Sequence, residues 1–218
     1  MQSHTQKYFK RCHDEQENQE ERGITIKIGI IGKGHVGTAL GQGLKRAGHE
    51  IKYGHRSANE PVHQAAEWGE ALILAVPYEA TKGVTEDIGS AADNKVLIDV
   101  TNPLTQDMDL ALGFNTSAAE ELQRLLPKAR VVKAFNTVFA ANQSTGKVGK
   151  NQLTAFIAGD DIEAKQLVMN IAKDIGFDPV DVGPLRSARY LEPMAAIIID
   201  LAYRLNMGTK IGFKLTRA

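Results

Sequence analysis

The 218-residue sequence predicts an α/β fold: a doubly wound, mostly parallel sheet with a short C-terminal helical appendage. Seven short apolar runs are typical of buried strands, and helix-like stretches separate most of them. The runs carry β-branched residues on both faces, which indicates a sheet covered by helices on both sides. Right-handed crossovers between parallel strands then lead to a doubly wound arrangement.

The elements follow in order along the chain. The predicted strands cover residues 24–31, 50–54, 71–76, 95–100, 130–135, 153–158 and 178–182. The predicted helices between them cover residues 36–47, 78–88, 117–126 and 161–175. Residues 142–152 are polar and contain glycine, which predicts a mobile loop. A last, mostly apolar helix follows residue 182, with Pro193 expected in its first turn and Gly208 near its end.

Composition narrows the class of protein. The 26 basic and 26 acidic side chains cancel, so no overall charge attracts nucleic acid or an anionic membrane. No apolar run reaches the roughly 20 residues that a membrane helix needs. Residues 1–23 are polar throughout, which predicts a disordered extension and not a secretory signal. The single cysteine is typical of a reducing compartment, so we expect a cytoplasmic protein.

The motif G-x-G-x-x-G occurs at Gly32, Gly34 and Gly37, directly after the first predicted strand and at the start of a helix. In this context it indicates a Rossmann dinucleotide-binding loop, although a glycine-rich turn without a ligand is the alternative. Gly32 permits the tight turn, Gly34 lets the backbone approach a pyrophosphate, and Gly37 lets the helix pack closely. The loop also contains three further candidates for cofactor contacts, Lys33, His35 and Val36.

The residues after the second strand indicate which dinucleotide is bound. NAD-binding proteins place Asp or Glu there, but no carboxylate occurs before Glu60, past the turn. Arg56 instead supplies a planar cation suited to a phosphate, with possible donors beside it at His55 and Ser57. We therefore predict NADP(H), bound by a Rossmann domain of residues 24–182. The alternative for Arg56 is an ordinary solvated arginine.

The glycine loop with Arg56 is followed by AVPYEA (75–80), LIDVTNPL (97–104), VKAFNTVFA (132–140), AGDD (158–161) and GFDPVDVGPLRSARYLEPMA (176–195). In this order the segments resemble the NADP oxidoreductases dependent on coenzyme F-420, a group that includes the cytosolic domains of membrane ferric reductases. The resemblance implies hydride transfer between NADP(H) and a small-molecule redox co-substrate, F-420 or a flavin. Such a transfer needs two rings held face to face and little acid–base help. No catalytic side chain and no metal ligands are predicted.

Ligands of such sheets bind at the carboxyl ends of the strands. With the resemblance, Pro77 and Asn136 are expected to contact the cofactor, Asn136 near its nicotinamide. Turn chemistry alone is the alternative, because Asn, Thr and Pro favour turns. The other candidates at these strand ends are Ala75, Val76, Asn102 and Ala134.

The substrate side is expected at Thr137 and in residues 183–218, which complete the cleft or form a dimer contact. Leu185 is a candidate there, and Arg186 or Arg189 could meet an anionic tail of the co-substrate. Each arginine taken singly could equally be a surface cation. The apolar last helix needs cover, which predicts a homodimer.

Two other functions stay open. One is a non-catalytic NADP(H)-binding sensor or electron-transfer partner domain. The other is an imine reductase of the pyrroline-5-carboxylate reductase type. That family needs a larger helical dimer domain after the sheet, and too few residues follow residue 182 for one. The same shortage argues against a beta-hydroxyacid dehydrogenase.

Overall fold

The computed structural model describes residues 25–57 and 59–217, so the predicted extension at residues 1–23 lies outside the described residues. The strands of the main sheet are β1 (Lys27–Ile31), β2 (Glu50–Gly54), β3 (Ala71–Leu74), β4 (Val96–Asp99), β5 (Arg130–Lys133), β8 (Thr154–Gly159) and β9 (Asp178–Asp181). A separate hairpin pairs β6 (Lys147–Val148) with β7 (Asn151–Gln152). The α-helices are α1 (His35–Arg46), α2 (Val62–Trp68), α3 (Thr81–Ile88), α4 (Ala118–Leu125), α5 (Ala140–Gln143), α6 (Ile162–Ile175) and α7 (Ala188–Ile199).

The sheet confirms the predicted doubly wound α/β fold. Its strand order is β2-β1-β3-β4-β5-β8-β9, and every neighbouring pair is parallel except β5 with β8. The chain passes from β1 to β2 on one side and then continues with β3 on the other side of β1. The strand order therefore reverses at β1, and this is where a ligand crevice opens in such sheets.

Alternating side chains divide the core into two layers, one on each face of the sheet. Along β3, Ile73 packs into the layer that contains Leu40 of α1 and Val168 of α6. Its neighbour Leu72 packs into the opposite layer, with Leu122 of α4. Burying a side chain of this size contributes about 1.5–3 kcal/mol, so both faces of the sheet need their helices.

Two sequence-based predictions were wrong. The segment 142–152 contains the β6–β7 hairpin, where Gly146 and Gly149 supply the positive φ angles of +63° and +57° that its turns require. Pro193 lies inside α7 and not in its first turn, because a 3₁₀ turn at Leu185–Ser187 leads the chain into the helix earlier. After Ile199 the helix continues as a π-helical turn, Asp200–Arg204.

The segment after the π-helical turn is tied to the rest of the fold. The Thr154 N–H donates to the Phe213 carbonyl at 2.9 Å, and Asn142 Nδ2 donates to the carbonyls of Thr209 and Ile211.

Within residues 25–57 and 59–217, no helix combines the length and the apolarity that crossing a membrane requires.

Candidate functional site

A cleft of about 920 Å³ opens at the carboxyl ends of β1, β2 and β3, where the strand order reverses. We call it the glycine-loop cleft. Residues of α3 close its far side, and the loops after the three strands form the rest. Of the predicted cofactor contacts, those that line it are Gly32, Lys33, Gly34, His55, Arg56, Ala75, Val76 and Pro77.

The three glycines of the loop meet different constraints. Gly32 has a φ of +109°, and a Cβ there would lie 2.1 Å from the Ala75 carbonyl oxygen. A Cβ on Gly37 would lie 2.2 Å from the Gly32 carbonyl oxygen, so the fold itself requires both glycines. Gly34 differs, because its φ is −76° and an added Cβ would have no described atom within 4 Å. Neither strain nor crowding within the described chain requires glycine at Gly34.

The start of α1 also lacks a protein partner. Helices α4 and α6 are capped by Ser117 and Asp161, whose side chains accept from the N–H groups of Glu120 and Ala164. Among the described residues, no side chain caps α1 at Gly34, and its first turn contains no acidic residue. The starts of α2, α3, α5 and α7 also have no side-chain cap within the described chain, so what sets α1 apart is its position at the cleft. The N–H groups of this turn therefore favour an anion in the cleft.

An acidic residue that the sequence places past the turn, Glu60, contacts two of the basic residues that line the cleft. The His55 N–H donates to the Glu60 carbonyl at 2.8 Å, which folds Glu60 back beside the end of β2. Its carboxylate lies 2.8 Å from Lys33 Nζ and 2.6 Å from His55 Nε2. The hydrogen bond from Lys33 is the main cause that lowers the pKa of Glu60. Arg56 is exposed, and Ser57 bonds within its own loop, where its N–H faces His55 Nδ1 at 3.3 Å.

A second cleft, of about 420 Å³, begins where the first one ends. Gly34 lines the glycine-loop cleft, and its neighbour His35 lines the second cleft. We call it the Asn136 cleft. Of the predicted contacts, those that line it are His35, Val36, Asn102, Asn136 and Thr137. Its other walls are mostly apolar and include Met108, Phe139, Ile198 and Tyr203, with the rings of Phe139 and Tyr203 in an edge-to-face contact at 5.9 Å.

Asn136 has a free acceptor inside the fold. Its Nδ2 donates to Asn102 Oδ1 at 3.0 Å and to the Leu191 carbonyl at 2.9 Å. Its Oδ1 is buried and has no hydrogen-bond partner among the described residues. Phe135, just before it, has a φ of +62°, and Gln143 holds this turn by donating to the Phe135 carbonyl at 2.8 Å. A strained backbone beside an unpaired polar atom is typical of a binding site.

Below Asn102 and Asn136 lies a buried ionic cluster that the sequence did not single out. Lys133 is fully buried and donates to Asp99 at 2.9 Å, to Glu192 at 2.8 Å and to the Thr101 carbonyl at 2.6 Å. Burial alone lowers the pKa of Lys133, but Asp99 and Glu192 reverse this, so its pKa is raised. Burial is the main cause that raises the pKa of Glu192. One buried cation thus faces two carboxyl groups.

Glu192 lies inside α7, directly before Pro193. In the structure its carboxylate accepts from the N–H groups of Ala118 and Ala119, at 3.0 and 3.3 Å, and therefore caps α4. Glu192 thereby joins α7 to α4 and, through Lys133, to the ends of β4 and β5. In the sequence, Lys133 lies among apolar residues, three positions before Asn136.

The remaining predicted residues lie elsewhere. Ala134 is buried in the core, and its N–H donates to the Asp99 carbonyl. Leu185 is also a core residue, Arg186 is exposed, and Arg189 makes two hydrogen bonds with Glu120, at 2.8 and 2.6 Å. Leu185, Arg186 and Arg189 line neither described cleft, so their positions do not support a substrate role. No group of three His, Cys, Asp or Glu in the described part of the chain could hold a metal ion.

Comparisons with known proteins agree with this architecture. Residues 12–101 match the model of a Rossmann-like domain. The F420-dependent NADP reductase of Methanothermobacter marburgensis is 29% identical over 226 residues, covering 88% of this chain and 98% of that protein. A crystal structure of a proposed F420-dependent NADP reductase from Arthrobacter sp. FB24 has a TM-score of 0.82 at 25% identity, over 88% of this chain and all of that one.

The metalloreductase STEAP3 of Rattus norvegicus is 32% identical over 179 residues, covering 76% of this chain. The match takes up 36% of the metalloreductase, so the chain spans about a third of that relative's length.

Proposed function

We propose that this protein, which belongs to the family of F420-dependent NADP reductases and is related to the STEAP metalloreductases, transfers hydride between NADP(H) and a deazaflavin or flavin. Gly34 is the observation that carries the proposal. The described chain does not itself require glycine there, but a pyrophosphate passing over the uncapped start of α1 does.

The two clefts suit the two ends of the dinucleotide. Arg56, with His55 and Lys33 beside it, would hold the 2′-phosphate at one end of the glycine-loop cleft. Residues Ala75, Val76 and Pro77 would line the adenosine and pyrophosphate. Across the loop, the unpaired Asn136 Oδ1 would accept from the carboxamide N–H of the nicotinamide. The bound cofactor supplies the hydride, and the protein supplies the alignment.

The Asn136 cleft supports a flat aromatic co-substrate. Phe139, Tyr203 and Met108 present apolar surface to its interior, which excludes water from stacked rings. Hydride transfer between such rings needs no proton donor at the reacting atoms. This agrees with the lining of the Asn136 cleft, which contains no lysine, arginine or carboxylate among the described residues.

A turnover assay tests the proposal. The nicotinamide absorbance of NADPH or NADH would be followed with purified protein, alone and with F420, FMN, FAD or riboflavin. We expect loss of NADPH absorbance that depends on the acceptor, with F420 or a flavin active. Absence of NADPH binding by calorimetry would overturn the proposal.

Binding of NADPH without turnover by any acceptor would favour a second function, an NADP(H)-binding electron-transfer partner domain. The match to about a third of a metalloreductase gives this alternative a specific basis.

We also propose a homodimer formed through α7 and the segment after it. Five large apolar side chains are more than half exposed there, at Tyr190, Ile197, Tyr203, Leu205 and Met207. Sedimentation velocity should give twice the mass of the chain, and Ile197→Glu should return a monomer. A cytoplasmic location, and the expectation of no nucleic acid or membrane partner, stay predictions.

A further inference from the structure

Two of the three basic side chains at the phosphate end of the glycine-loop cleft already contact a carboxylate. Lys33 Nζ lies 2.8 Å from both carboxylate oxygens of Glu60, and His55 Nε2 lies 2.6 Å from one of them. Arg56, the third, has no ion pair among the described residues. The Glu60 side chain is 34% exposed, so its carboxylate can turn to water without a large desolvation cost.

A 2′-phosphate at this place would meet two opposing effects. Its own negative charge is attracted by Arg56, Lys33 and His55. The same charge is repelled by Glu60, and it must draw Lys33 and His55 away from that carboxylate. A cofactor that has a 2′-hydroxyl in place of the phosphate carries no such charge and leaves both ion pairs intact.

We propose that Glu60 competes with the 2′-phosphate for Lys33 and His55, and thereby sets the ratio of NADPH affinity to NADH affinity. This inference rests on the proposed NADP(H) site. It assigns a specificity-determining role to a carboxylate that faces the basic residues and not the reacting rings. The loop that folds Glu60 back onto His55 keeps the competitor in place.

The test measures the dissociation constants of NADPH and of NADH separately by titration calorimetry, with wild type, Glu60→Gln and Glu67→Gln. Glu67 is a matched control, because it pairs with His63 at 3.0 Å and lines neither cleft. We expect Glu60→Gln to bind NADPH about fivefold more tightly and NADH within about twofold of wild type. Glu67→Gln should change neither value.

A second comparison checks that the gain acts through Lys33. In a Lys33→Met background, Glu60→Gln should tighten NADPH binding by less than it does in wild type, because one of the two contested cations is absent. An equal gain in both backgrounds would overturn the competition for Lys33. Circular dichroism melts of each variant would confirm that it folds.

Other results would overturn the inference in distinguishable ways. Weaker NADPH binding by Glu60→Gln would mean that the carboxylate positions the cations for the phosphate. Loss of NADH affinity alone would mean that Glu60 accepts from the ribose hydroxyl, as in NAD-binding proteins. Equally tighter binding of NADPH and NADH would mean that Glu60 acts only through the overall charge of the site. If neither wild type nor Glu60→Gln bound either dinucleotide, the inference and the proposed function would both fall.

Discussion

The glycine-loop cleft and the ionic cluster around Lys133 lie at the same edge of the sheet but meet opposite constraints. In the cleft, Gly34 has open space around it and Arg56 is exposed. In the cluster, Lys133 is fully buried and bonded to Asp99, Glu192 and a backbone carbonyl. We propose that a ligand explains the cleft residues, whereas the packing of the fold explains the cluster residues. Substitutions should therefore separate binding from stability.

The largest effect is expected from Lys133→Met. Removing the cation leaves two buried carboxyl groups without the charge that neutralises them, which should lower the free energy of unfolding by about 3–5 kcal/mol. Urea denaturation measures this loss. Adding Glu192→Gln to Lys133→Met should recover part of it, and a loss below about 1 kcal/mol would show that the cluster does not support the fold.

Gly34→Val is expected to weaken NADPH binding and to leave the stability of the fold unchanged. The valine side chain should occupy the space left for the pyrophosphate and weaken NADPH binding by about a hundredfold, or ~3 kcal/mol. The midpoint of thermal unfolding should stay close to that of wild type, because an added Cβ meets no described atom within 4 Å. Gly113→Val is the control, since Gly113 is equally open but lines neither cleft. Retained NADPH affinity would refute the role of the loop.

Arg56→Ala should show which part of the cofactor this end of the cleft binds, because NADPH and NADH differ only in the 2′-phosphate. If Arg56 holds the 2′-phosphate, NADPH binding weakens by about 1–3 kcal/mol and NADH binding does not change. Arg186→Ala removes an exposed arginine outside both clefts and should leave both affinities unaltered. Equal weakening of NADPH and NADH by Arg56→Ala would remove the assigned role.

The smallest effect is expected at the pair of Glu120 and Arg189, which is partly exposed. The hydrogen bond from Arg189 is the main cause that lowers the pKa of Glu120 below its ordinary value of 4.5. The pair's contribution is therefore present above pH 4.5 and is lost as the pH falls through the lower pKa of the folded state. As the pH falls below 4.5, the free energy of unfolding should therefore decrease less in Glu120→Gln than in wild type, with a difference of under about 1 kcal/mol. An unchanged acid profile would show that the pair adds nothing.

The elements that sequence reasoning placed well depend on short-range patterns. The spacing of Gly32, Gly34 and Gly37 after an apolar run predicted the strand, the turn and the start of α1 together. Asp161 directly precedes α6, and its side chain accepts from the Ala164 N–H at 2.7 Å. In each case the residues that interact lie within one turn or one strand of each other, so the sequence displays them side by side.

The features that sequence reasoning missed depend on contacts formed when the chain folds. Glu192 caps a helix that begins 74 residues earlier in the chain, at Ala118. Lys133 lies within an apolar run, which indicates a buried strand but not the two carboxylates that neutralise its charge. Glu60 is only five residues from His55. Its carboxylate faces Lys33 and His55 because the backbone of their loop closes with a hydrogen bond from the His55 N–H to the Glu60 carbonyl.

The sequence by itself determined the α/β fold, the glycine-rich loop after β1 and the presence of Arg56 after the second strand, because periodicity and glycine spacing are local properties. Only the tertiary structure decided which charges meet. It placed Glu60 against Lys33 and His55, buried Lys133 between Asp99 and Glu192, and left Asn136 Oδ1 without a described partner. The strength of a charge interaction depends on distance and burial, and both arise only when the segments pack together.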